Sequence, residues 1–182
     1  TSNISNTVGT EYCSSPDVYE IDPTINGNSC NTAIDILPML TGSSVLTDNG
    51  TTVSISGNII STIDEDWYYF NTSQTPLSSG INLYNFQVNL SSGSSSYDVQ
   101  VFRGGCAAAN ANCSGSYDQY DFFAQDDMDG SNHVTPGDTR YCNNNSVYDN
   151  CADFSSVYYI KVIRTDGDTD CTPYVLSVGN GY

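Results

Sequence analysis

The chain has 182 residues, room for one domain with an extension and cramped for two. Four basic residues face 21 acidic ones, a net charge of -17, and only 14% of residues are charged, well under the usual quarter. Four scattered cations cannot displace the counterions of a nucleic acid, an anionic membrane repels such a chain, and no apolar run reaches a spanning length.

Ser, Thr and Asn together make 61 residues, a third of the chain. The chain opens at Thr1 without a Met and shows no signal peptide, so it reads as a processed, mature form. In chain order, the first element is an arm. Ile4, Val8 and Tyr12 fall on even positions and share one side of an extended strand. Residues 1–21 are expected either to fold back as an edge strand or to add to the sheet of a neighbouring subunit. Asn31–Leu37 is the one helix candidate, of one or two turns, stopped by Pro38.

The rest reads as strand. Thr52–Ser56 alternates, and Ile81–Leu90 puts Tyr84, Phe86, Val88 and Leu90 on one face with Asn85, Gln87 and Asn89 on the other. Trp67–Phe70, Tyr97–Phe102, Val157–Ile163 and Tyr174–Val178 are β-branched and aromatic. Polar clusters such as Thr47–Gly50, Ser91–Ser94, Asp129–Ser131 and Asp166–Asp168 separate them. Short amphipathic strands at this spacing predict an all-β, two-sheet sandwich over 22–182.

Seven Cys without a C-x-x-C pair, and a single His, argue for disulfides over zinc. Such Lys-poor, Cys-bearing chains belong to oxidising compartments, so the expected location is secreted or at the cell surface. Cys106–Cys113 and Cys142–Cys151 are the short loops expected to close, each worth about 2–3 kcal/mol. Two of Cys13, Cys30 and Cys171 would then pair, leaving a buried thiol or an intermolecular link. Six N-x-[ST] sequons stand at Asn3, Asn49, Asn71, Asn89, Asn112 and Asn144. A glycosylating host would use those on exposed loops and sheet faces, making a glycoprotein.

Asp22-Pro23, then Asn28–Ala33, Ile55–Ile59 followed by Asp64-Glu65-Asp66-Trp67-Tyr68-Tyr69-Phe70, and Tyr97–Phe102 with Ala124–Asp127 and Gly130 occur in a telling order. With Tyr158–Val162 and Tyr174–Val178 they resemble the bacterial pre-peptidase C-terminal domain family over about residues 22–178. The Cys-rich inserts and the arm depart from that pattern. The resemblance implies a jelly-roll-like antiparallel β-sandwich of secreted proteins, without catalytic activity of its own. Some members bind calcium and a fibrous substrate. By matching position it implies Asp22, Asn28, Asp64 and Asp66 as calcium ligands, an ion that takes six to eight oxygens. The alternative is a solvated acidic turn whose carboxylates cap backbone N–H groups.

Two other acidic turns, Asp126/Asp127/Asp129 and Asp166/Asp168/Asp170, lack the glycine or glutamate that an EF-hand needs. His133 has no motif around it, and no nucleophile elbow occurs. Tyr68 and Tyr159, with Trp67 and Tyr158 alternating, offer either a ring platform for sugar or peptide or ordinary packing. The expected function is therefore non-catalytic. It is an extracellular structural or adhesive subunit that forms a homo-oligomer or filament through its arm. The alternative is a calcium-assisted module that binds polysaccharide or fibrous protein.

Overall fold

The computed structural model describes residues 27–59, 64–75, 81–92, 96–108, 118–127, 134–137, 155–166 and 172–181. After a 3-10 turn at Cys30–Thr32 come β1 (Ile34–Asp35), α1 (Leu37–Thr41), β2 (Leu46–Thr47), β3 (Asn49–Gly57) and β4 (Asp66–Ser73). β5 (Ile81–Ser92), β6 (Tyr97–Arg103), β7 (Gln119–Asp127), β8 (Val134–Gly137), β9 (Val157–Arg164) and β10 (Tyr174–Gly181) follow. One sheet runs β1-β4-β9-β6, with β2 also on β4; the other runs β3-β10-β5-β7-β8. β1 and β2 lie parallel to β4, and the remaining described pairings are antiparallel. The two-sheet β-sandwich is the architecture the alternating runs predict.

Alternation sets the faces. Tyr68 and Phe70 on β4, Tyr158, Ile160 and Val162 on β9, and Tyr97, Val99 and Val101 on β6 point into the core. Val53 and Ile55 on β3, Tyr84, Phe86, Val88 and Leu90 on β5, and Tyr174, Leu176 and Val178 on β10 meet them. Tyr replaces the missing Leu. The rings of Phe86 and Tyr158 stack between the sheets at 3.7 Å.

Buried phenols need partners, and Tyr68, Tyr84, Tyr97 and Tyr174 find them across the sandwich. Tyr68 of β4 and Tyr174 of β10 share a hydrogen bond of 2.7 Å, and Tyr174 donates to Asp66 Oδ2 at 2.6 Å. Tyr84 of β5 bonds Thr72 of β4, and the Tyr97 hydroxyl donates to the Thr172 carbonyl at 2.6 Å. Asn180 Nδ2 donates to the Leu46 carbonyl at 3.0 Å and to that of Ser73 at 3.3 Å. The two layers are thus latched by polar bonds as well as by apolar burial.

Two local expectations change. The segment around Ala33 is a 3-10 turn and a short strand, and the helix starts later, at Leu37. Pro38 sits inside its first turn instead of stopping it. A missing N–H costs nothing there, because first-turn N–H groups have no intrahelical acceptor. Cys106 bonds Cys30, not Cys113, with Cα atoms 5.8 Å apart. Gly104 and Gly105, both at positive φ, turn the chain after β6, and Cys106 meets the 3-10 turn before β1. The remaining cysteines, Cys13, Cys113, Cys142, Cys151 and Cys171, lie outside the described residues.

Candidate functional site

The described chain enters the sandwich at Gly27. Its N–H donates to the Thr32 carbonyl at 3.1 Å, and its carbonyl accepts from the Trp67 N–H at 2.7 Å. Its φ is +67°, and a Cβ there would stand 2.9 Å from Ile34 Cδ1, so glycine suits the position twice over. Three residues later, the Cys30–Cys106 bond ties the same segment to the end of β6. The entry point is therefore fastened to both β4 and β6.

The Gly27–Trp67 bond joins the segment that carries Asn28 to the start of β4, where Asp66 lies two residues after Asp64. Asn28 is exposed, Asp64 half-buried and Asp66 buried. Asp22, the fourth calcium ligand implied by resemblance, lies outside the described residues. Asp66 Oδ2 already accepts from Tyr174. Among the described residues no group of three or more His, Cys, Asp or Glu could hold a metal ion by itself. A calcium ion here would need Asp22, the Asn28 amide and main-chain oxygens besides Asp64 and Asp66, a donor set of the right hard-oxygen kind.

The outer face of the first sheet carries Tyr159, as its spacing suggests, but Tyr69 in place of the expected Tyr68. Tyr68 and Tyr158 point inward and are buried. Asp35, Tyr69, Tyr159 and Phe102 instead form one row across β1, β4, β9 and β6. The run Trp67–Phe70 is aromatic throughout, so its own pattern does not reveal which alternate residues face the core. Tyr69 donates to Asp35 Oδ2 at 3.1 Å, and its ring lies 5.8 Å from that of Tyr159. Burial and then the Asp35 carboxylate push the Tyr69 phenol up.

In the next row Trp67 stacks on Phe102 at 5.4 Å, and Lys161 Nζ stands 5.5 Å from the indole centre. Lys161 also pairs with Glu65, which accepts from Trp67 Nε1 at 3.0 Å. Burial alone would raise the Glu65 carboxyl, but the Lys161 and Trp67 bonds together outweigh it and hold it below the usual range. Trp67 is left 7% exposed. The indole is packing, not an open stacking plate.

Other candidates are dispersed. Asn49 and Asn89 are exposed and Asn71 is half-buried in β4; Asn3, Asn112 and Asn144 lie outside the described residues. Asp126 and Asp127 end β7, paired in register with Asn82 and Ile81, while Asp129 lies outside the described residues. Asp166 is engaged by Arg164 at 2.7 Å, whereas Asp168 and Asp170 fall outside, as do His133, Ile4, Val8 and Tyr12.

One feature of the surface depends on topology and was missed in sequence. β3 pairs with β10 along one side, from Gly57 opposite Tyr174 to Asn49 opposite Gly181. Among the described residues no strand pairs with its other side.

No family model and no curated protein matches the sequence. Among solved structures the chain is similar to the pre-peptidase C-terminal domain of collagenase from Bacillus anthracis. Identity is 15%, 75% of this chain and 93% of that domain are covered, and the TM-score is 0.29. The sandwich described above rests on its own strand pairings.

Proposed function

We propose that this chain is a secreted, non-catalytic structural or adhesive subunit that self-associates through its N-terminal arm, residues 1–21. One observation carries the reading: the chain enters the sandwich at a doubly fastened post. The Gly27–Trp67 hydrogen bond transmits a pull on the arm to β4, and the Cys30–Cys106 bond transmits it to β6. A segment that holds two subunits together needs such a root. A disulfide there also fits an oxidising, extracellular setting. Deleting residues 1–12 is expected to abolish assembly, read by light scattering and negative-stain microscopy, while circular dichroism still reports a folded sandwich. A deletion variant that assembles like the full chain ends this reading.

A second reading is supported by the Gly27–Trp67 bond, which joins the segment carrying Asn28 to the start of β4 at Asp66. In it, calcium at this turn stiffens the arm root of a module that binds polysaccharide or fibrous protein. Trp67, the single Trp, adjoins Asp66 and reports the event. Calcium is expected to change Trp67 fluorescence saturably, and Asp64→Asn to weaken that response tenfold or more. An unchanged signal up to millimolar calcium removes this second reading.

A further inference from the structure

We propose that the outer edge of β3 accepts an added strand, supplied by residues 1–12 of a second copy of this chain. The inference rests on the self-association proposed above and names its acceptor.

Among the described residues the edge is long and unguarded. β3 runs nine residues, and among the described residues its outer side has no strand partner. Such a side presents alternate N–H and C=O groups to any extended chain. Natural edges are usually blunted by lysine, proline, inward charge or a bulge. The opposite edge of the same sheet, β8, carries Pro136. β3 has only a bulge at its start, where the register skips Gly50, and none of these devices from Thr52 to Gly57.

Charge selects the same place. Copies with a net charge of -17 repel one another, so a contact between them must avoid carboxylates. β3 and β10 contain no acidic or basic side chain. Residues 1–10 contain none either, Glu11 being the first. Backbone hydrogen bonds between a strand with no charged side chain over residues 1–10 and an uncharged edge supply attraction with few charges to bury.

Pattern and length agree. β3 turns Val53 and Ile55 to the core and leaves Thr52, Ser54 and Ser56 exposed. An extended arm would likewise put Ile4, Val8 and Tyr12 on one side, with Ser and Thr among the residues of the other. Twelve extended residues reach about 40 Å, and a nine-residue edge needs about 30 Å. Residues 13–26 remain to span the gap between copies.

Hydrogen–deuterium exchange of the full chain, above and below its assembly concentration, tests the assignment. The backbone amides of Thr52–Ser56 that face outward are expected to slow at least tenfold on assembly, and a synthetic peptide of residues 1–12 in excess is expected to block assembly. Assembly that protects another strand and leaves β3 unchanged overturns the acceptor but spares the self-association. Protection of β3 already complete in the monomer means that the arm folds back, and it too overturns the proposal. A chain that stays monomeric at every concentration, with β3 exchanging fast, removes both.

Discussion

The phenol of Tyr174 stands 2.6 Å from Asp66 Oδ2 and 2.7 Å from the Tyr68 hydroxyl, so a carboxylate is held between the sheets by a chain of two tyrosines. Asp66 is 2% exposed. A buried carboxylate that loses a donor bears a desolvation cost, while a phenol that loses one of two bonds bears less. Tyr174→Phe is therefore expected to cost about 1–3 kcal/mol and Tyr68→Phe about 1 kcal/mol, read as midpoint shifts in urea. Equal costs would mean that Asp66 does not depend on Tyr174.

High pH attacks the same core. Burial foremost, then the neighbouring Tyr84 and Tyr120 phenols, holds Tyr158 well above the ordinary tyrosine range, against the pull of Arg103. Burial, then Tyr68 and Asp66, does the same for Tyr174. The folded state keeps protons that the unfolded chain releases near pH 10, so this stability is complete below about pH 10 and lost as pH rises beyond it. Absorbance at 295 nm is expected to show exposed phenols ionising first and the buried set ionising together with the loss of circular dichroism. A smooth titration of all tyrosines with the fold intact would contradict this.

Asp98 runs the other way from a stabilising carboxylate. Burial, then the charge of Asp118, pushes its carboxyl up. The folded state binds that proton more readily than the unfolded chain, so stability is gained as pH falls through the raised value and lost above it. Asp98→Asn is expected to stabilise by about 0.2–1 kcal/mol at pH 7, the scale of surface electrostatics, and by nothing near pH 3. Melting temperatures of the two proteins at both pH values check the sign.

Cutting the Cys30–Cys106 bond opens a loop with a sequence separation of 76. Chain entropy puts its contribution at about 4–5 kcal/mol. Cys30→Ser is expected to lower stability by about 2–5 kcal/mol. It should also loosen the Gly27 entry point, read as faster exchange of the Trp67 amide. Wild-type stability with an unchanged Trp67 amide would show the bond to be idle.

Regular alternation was legible: Tyr84, Phe86, Val88 and Leu90 are buried as their spacing says, and so are Val99, Val101 and Leu176. Trp67–Phe70 was legible as a strand but not as a face, because four aromatic residues carry no period. In β7 only Ala124–Asp127 was legible, through the family resemblance, because Tyr120-Asp121-Phe122-Phe123 breaks alternation. Its existence is fixed by pairing with β5. The Cys30–Cys106 pair could not be read from spacing either, since it joins two turns that only the finished sheet brings together. For the proposed calcium turn, Asn28 and Asp66 are far apart in sequence, and the Gly27–Trp67 bond that joins their segments forms only in the finished fold.

The chain has four Lys and Arg residues, and β6 and β9 hold three of them: Arg103, Lys161 and Arg164. β6 and β9 pair along their whole length, with Arg103 opposite Tyr158, Lys161 opposite Gln100 and Arg164 opposite Tyr97. A trypsin-like protease must peel an extended stretch out of this ladder before it can cut there, so digestion at those bonds follows the opening of the sandwich itself. Scarcity of basic residues, together with where the few are spent, makes the folded sheet a poor meal for such enzymes.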